Sequence, residues 1–187
     1  AFRTDFLGEW DLDYDPLISL KEVIRELREA KAPWWRLKSK DLVRKVQYPV
    51  TKSADEWAKE IQSLDKLLNE GLETKELRQQ AERLGRTIDD QWKSLKLTEE
   101  VLLGLGYDAD QVQEILAPLR ELSALRNKVS AHASDAEAKK RKKQILKEHG
   151  SFVVHFRSLC KSCDETMGRL RGIFDRKVYG LTPSAES

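Results

Sequence analysis

With 187 residues, 40% of them hydrophobic and 35% charged, the chain is long enough for one domain with a real core. Few aromatics (7%), nine Gly and five Pro exclude a collagen or a disordered chain and favour helices over a β-sandwich. A formal charge of +2 gives no global pull toward nucleic acid or anionic membrane, so any such attraction must be local. No apolar run approaches the roughly 20 residues of a bilayer-spanning helix, and the N-terminus lacks the order of a signal peptide. Cys160 and Cys163 offer no disulfide framework, so a cytoplasmic protein with no membrane partner is expected. The first residue is Ala1, not Met, as in a processed product or a piece of something longer.

Residues 1–15 form an acidic lead-in with Asp5, Glu9, Asp11, Asp13 and Asp15. From Pro16, Leu17, Leu20, Val23, Ile24 and Leu27 recur at helical spacing and predict a helix ending before Pro33. Trp34 and Trp35 cannot share one helix face; they either anchor this segment or stack on a partner, and anchoring is favoured. A short basic stretch then runs to Tyr48-Pro49, where a helix must stop. Residues 1–51 are expected to form an N-terminal helical appendage.

Ser53-Ala54-Asp55-Glu56 has capping-box spacing and opens a helix with the stripe Trp57, Ile61, Leu64 and Leu68, ended by Gly71. Leu77, Ala81, Leu84, Ile88, Trp92 and Leu95 predict a second long helix reaching Lys96 through Gly85. Residues 104–110 read as a turn with Asp108 as N-cap. Val112, Ile115, Leu116, Leu119 and Leu122 mark a third helix, bent or restarted at Pro118. Ser134-Asp135-Ala136-Glu137 predicts a break near residue 133 and one long final helix. On it Phe152, Phe156, Leu159, Cys163, Met167, Leu170 and Phe174 form an unbroken seam. Residues 178–187 are expected to be a disordered tail. The pattern predicts an all-α, up-and-down antiparallel four-helix bundle over residues 52–177.

Phosphate-cradling glycine loops, paired zinc ligands and nucleophile elbows are absent from the sequence. His155, Cys160 and Cys163 make a poor ligand set, because Cys163 lies on the apolar seam; no metal is expected. What remains is Leu125-Arg126-Asn127-Lys128-Val129-Ser130-Ala131-His132 at the third-to-fourth helix junction. This stretch resembles the signature of HEPN domains, in which an Arg is followed by a polar residue and, a few positions later, by a His. These domains form an all-helical superfamily of mostly metal-independent endoribonucleases in toxin, abortive-infection and RNA-guided defence systems. The resemblance covers residues 52–177. It implies Arg126, Asn127 and His132 as catalytic residues, no cofactor, and a homodimer whose two motifs face one cleft. It also implies a role in growth arrest or antiviral defence, with a possible antitoxin or regulatory partner. Ser134 stands where some toxin members carry a Tyr, so regulation through that Tyr does not carry over.

The residue types suit RNA cleavage, in which a ribose 2′-hydroxyl attacks the adjacent phosphorus. His132 can exchange protons near neutrality, and Arg126 presents a permanent, forked charge to phosphate oxygens. A neighbouring guanidinium also favours the neutral imidazole. On an unbroken helix residues six apart lie about 120° apart around the axis, so the helix breaks after Ala131 or a second copy completes the site. Ser130, four residues after Arg126, shares its face and can orient the guanidinium or a phosphate.

Lys139-Lys140-Arg141-Lys142-Lys143 is the most basic run in the chain. As helix it wraps more than a full turn and presents charge in most directions, as a patch for RNA phosphates, a solvated face or a localisation signal. The plain alternative for the motif is that Arg126 and Asn127 are surface or capping groups and His132 bonds terminal carbonyls. The chain is then a non-catalytic helical module that binds a protein partner or RNA.

Overall fold

A computed structural model describes residues 14–129 and 135–181. The acidic lead-in through Asp13, the residues Ser130 and His132, and the tail beyond Leu181 lie outside the described residues. Among those described, eight α-helices occur: α1 (Pro16–Glu29), α2 (Asp41–Lys45), α3 (Ala54–Leu68), α4 (Thr74–Arg83), α5 (Ser94–Gly104), α6 (Ala109–Val129), α7 (Asp135–His149) and α8 (Phe152–Ile173). A π-helical turn, Phe174–Val178, extends α8. The only pairing of β type among them is an isolated bridge between Trp35 and Leu72. The fold is an all-α helical bundle, as the apolar spacing predicts.

Side-chain caps set half of the eight described helix starts. Asp15 accepts from the Ile18 amide at α1, Ser53 from the Asp55 and Glu56 amides at α3, and Ser151 from the Val154 amide at α8. Asp108 and Gln111 bond reciprocally at the start of α6, a capping box with Gln in the acceptor role. The predicted box at α3 is half realised. Ser53 caps the helix, but the Glu56 carboxylate turns back to the Val50 and Thr51 amides.

Two predicted long helices are each two helices, and glycine is the reason in both. Gly85 lies at φ +78, the left-handed region that favours residues without a Cβ. There the Gly85 amide donates to the Glu82 carbonyl and the Arg86 amide to the Ala81 carbonyl, a Schellman termination. Residues 85–93 run back along α4, and the Arg78 guanidinium donates to the carbonyls of Asp89, Asp90 and Trp92. Consequently α5 starts beside the start of α4 and ends beside its end, where Gly104 meets Leu84 and Arg86 bonds Glu100. The two helices run parallel. Gly150 at φ +79 likewise separates α7 from α8. Pro118 sits inside α6, which continues through it without a break.

The core joins every long helix. α6 packs on α3, α5 and α8, and α7 rests on α6 and α8. All seven seam residues from Phe152 to Phe174 are buried. The expected boundary at residue 51 coincides with no gap in this core. α1 lies along α8 and buries Leu17, Leu20, Ile24 and Leu27, each worth about 1.5–3 kcal/mol of apolar burial. Tyr14 donates to Asp164 of α8 at 2.7 Å, and Asp15 pairs with Arg157.

Trp34 and Trp35 are both fully buried, in line with the anchoring role. Trp34 stacks on Phe174 at 4.6 Å, and the Trp35 indole donates to the Leu68 carbonyl at 3.1 Å. The neighbouring backbone pairs with the turn after α3: the Arg36 amide donates to Gly71 and the Glu73 amide to Trp34, each at 2.8 Å. Gly71 has no room for a Cβ, which would collide with the Trp35 indole. Gly71→Ala is therefore expected to lower the melting temperature, by an overpacking cost of about 1–3 kcal/mol. Gly168→Ala, in the middle of α8 with nothing within 4 Å, should raise it by up to about 1 kcal/mol of stability. Thermal denaturation of the two variants checks both signs.

Candidate functional site

The last turn of α6 carries Arg126 and Asn127. Leu119, Leu122 and Leu125 are buried on the inner face of that helix, which leaves Arg126 half-exposed at its rim and Asn127 exposed. The Arg126 guanidinium faces two carboxylates at the end of α3. Its Nε lies 3.7 Å from Asp65 Oδ2 and its Nη2 3.8 Å from Glu70 Oε1. Both contacts are ion pairs at distances longer than a hydrogen bond.

The two carboxylates differ. Asp65 is buried, 3% exposed, and accepts from Asn69 Nδ2 at 2.7 Å. Burial pushes its carboxyl above the ordinary value, opposed by the Asn69 hydrogen bond and the Arg126 charge. Glu70 is on the surface. Asn69 also donates to the Leu119 carbonyl of α6 at 3.0 Å, which ties the end of α3 to the helix that carries Arg126. Sequence spacing overlooked this trio. The available signal was Asp65 itself, a carboxylate beside Leu64 on the inward stripe Ile61, Leu64, Leu68.

Ser130 and His132 fall between α6 and α7, outside the described residues. The basic run lies on α7 as expected, but its charges do not spread evenly around the helix. Arg141 is held against the bundle, its guanidinium 3.1 Å from Glu121 of α6, and Lys142 is half-buried. Lys139, Lys140 and Lys143 face solvent, with Lys147 one turn further on. Lys139, Lys143 and Lys147 recur every four residues, so the exposed charge forms a stripe instead of a collar.

His155, Cys160 and Cys163 are buried on α8. His155 Nδ1 accepts from Trp57 Nε1 at 3.1 Å, and its ring meets His149 edge-on at 4.9 Å. Burial pushes the Cys160 thiol up to about 12 and raises the Cys163 thiol well above its ordinary value, so both behave as small apolar groups. Among the described residues no group of three or more His, Cys, Asp or Glu side chains is placed to hold a metal ion. No described helix is long and apolar enough to cross a membrane. Comparison of the chain with protein-family models, curated proteins and solved structures finds no match.

Burial, then the charges of His149 and Arg141, hold His155 down to about 4 from its usual 6.5. A histidine whose folded value is depressed binds fewer protons folded than unfolded. Its contribution to stability is complete above pH 6.5 and declines as pH falls toward 4. The wild-type melting temperature is expected to fall across that window. In His155→Asn, whose amide oxygen can keep the Trp57 bond, the fall should be visibly shallower. Equal pH slopes in the two proteins would contradict it.

Proposed function

We propose that the chain is a metal-independent endoribonuclease of the HEPN type, acting as a homodimer in toxin or antiviral defence. One observation carries this reading. Arg126 stands half-exposed at the end of α6, held from behind by the buried Asp65, while α7, next in the chain, presents Lys139, Lys140 and Lys143 to solvent. A guanidinium positioned by a fixed carboxylate is prepared to meet a phosphate, and a lysine stripe nearby suits the strand that follows.

In the reaction, the ribose 2′-oxygen forms a bond to phosphorus and the bond from phosphorus to the 5′-oxygen breaks. A base takes the hydroxyl proton and an acid returns one to the leaving oxygen, leaving a cyclic phosphate and a 5′-hydroxyl. His132 is assigned to proton transfer, Arg126 to the charge of the phosphorane, Asn127 to positioning. Glu70 opposes an incoming phosphate, but its exposed side chain can turn to water at small cost. Asp65 is buried and stays. No step calls for a cofactor. The dimer supplies a second motif to the same cleft, and an antitoxin or regulatory protein would act by covering it.

The full chain, incubated with single-stranded RNA in excess chelator, is expected to release cyclic-phosphate ends. Activity should fall by at least about 100-fold in His132→Ala and in Arg126→Gln, with both variants still folded by thermal denaturation. Equal cleavage by all three proteins, or none by the wild type, rejects the assignment. Sedimentation should give twice the 21.6 kDa chain mass.

A second reading, a non-catalytic helical module, is favoured by the two carboxylates that already partner Arg126. It expects no turnover. RNA or protein binding would survive His132→Ala and weaken when Lys139, Lys140, Lys142 and Lys143 are neutralised.

A further inference from the structure

α1 turns Leu17, Leu20, Ile24 and Leu27 into the core. One position on from that stripe, Ile18, Lys21, Arg25 and Arg28 recur at the same three- and four-residue steps and form a second row along the helix. With Glu22 and with Val43 of α2 they line a groove of about 380 Å³. Ile18 is 70% exposed, the one large apolar side chain of α1 left in water. Ile18, Val43 and the methylene stems of the basic residues give the groove an apolar floor under a cationic rim.

Part of that charge is unmatched. Arg25 is met on its own helix by Glu22 and by Glu29, the latter at 2.6 Å. Among the described residues Lys21 and Arg28 pair with no carboxylate. Burial lowers the Lys21 ammonium from its ordinary value, with Glu60 and Asp15 opposing. A carboxylate brought beside it would favour the charged form further.

The thirteen residues that precede Tyr14, outside those described, have the complementary make-up. They carry Asp5, Glu9, Asp11 and Asp13 against Arg3, with Phe2, Phe6, Leu7 and Trp10 interleaved. In helical register Phe2, Phe6 and Trp10 share one row, and Asp5, Glu9 and Asp13 the row beside it. The groove has the same plan, an apolar row beside charge, in the opposite sign. The segment also joins the groove at one end. Tyr14 is fixed at the start of α1 by its 2.7 Å bond to Asp164 and by Arg157, which donates to its carbonyl at 3.3 Å, and Ile18 follows one turn later. From Ile18 to Arg28 is about 15 Å of helix. Twelve residues cover about 18 Å as helix and up to about 40 Å extended, so the segment spans the groove in either form.

We propose that residues 2–13 turn back along α1 and occupy this groove, with Trp10 against Ile18 and Val43, Phe6 further along, and the carboxylates of Glu9 and Asp5 facing Lys21 and Arg28. Tethering favours this occupant over a free acidic peptide, since a short linker holds its effective concentration at the groove on the order of millimolar. The inference is independent of the nuclease reading.

Trp10 reports on the contact. Its emission in the full chain is isolated by subtracting the spectrum of Trp10→Phe from that of the wild type. It is expected at shorter wavelength than that of N-acetyltryptophanamide, with acrylamide quenching at least about threefold weaker because the indole is covered, and it should not change with protein concentration. Ile18→Asp, and the double variant Lys21→Glu with Arg28→Glu, are each expected to return Trp10 to the free value, read against Trp10→Phe in the same background. An acid in the first turn does not destabilise a helix, and thermal denaturation shows that each variant is folded. Glu9→Lys should also expose Trp10. Combining it with Lys21→Glu should restore the shielding, which a general loss of structure would not do. A wild-type Trp10 as accessible as the free compound overturns the proposal. So does shielding that survives both Ile18→Asp and the double charge reversal. Shielding that grows with protein concentration overturns it as well, and gives the groove to the same segment of a second copy.

Discussion

The turn between α3 and α4 is held by a tryptophan lying where residue 71 has no side chain. Trp35 is buried against Gly71 and bonds the last carbonyl of α3, while the strands of backbone at 34–36 and 71–73 pair across it. That contact fixes where α3 stops and where α4 begins. It therefore places Asn69 and Glu70 next to the end of α6, and sets the start of α4 beside that of α5. Glu70 reaches Arg126 from that turn, while Asp65 is placed by the packing of α3 on α6. The N-terminal segment is thus part of what shapes the candidate site, although its composition suggests an addition to a bundle complete without it.

Much of the fold is legible in the sequence because burial of a helix face leaves a periodic trace. The seam from Phe152 to Phe174, the stripe from Trp57 to Leu68, and the caps at Ser53 and Asp108 all appear where spacing places them. Two glycine breaks leave no such trace. Gly85 and Gly150 interrupt stripes that otherwise continue, and apolar periodicity does not register a backbone turned to positive φ. The parallel course of α4 and α5 follows from the break at Gly85, so it has no trace in spacing alone. The site is less legible than the fold. Arg126 and Asn127 stand on a helix end as expected, but their carboxylate neighbours come from a helix some sixty residues earlier, and no local pattern joins distant segments.

The surroundings of Arg126 show how a charge is kept in place on a helix end. Asp65 is buried among apolar neighbours, a position that favours its neutral form, and the guanidinium and the Asn69 amide both oppose that tendency. A buried carboxylate of this kind is costly unless paired. The same pairing restrains the arginine from wandering, which a purely solvated side chain would do. Stability and positioning are joined here, and removing the arginine leaves the Asn69 hydrogen bond alone to offset the burial of the aspartate.

α7 is attached differently from every other long helix. Of its fifteen residues, Ile145 is the one described as buried, and Leu146 beside it is 43% exposed. A single isoleucine contributes about 1.5–3 kcal/mol of burial, against roughly 5–15 kcal/mol for a whole domain. The helix can therefore peel from the bundle in an opening far cheaper than global unfolding. Its amides are set to exchange with deuterium long before those of α8, and the lysine stripe it carries rides on the least anchored piece of the molecule. A polyanion that bridges α7 to the body of the protein would close that opening by clamping the helix down.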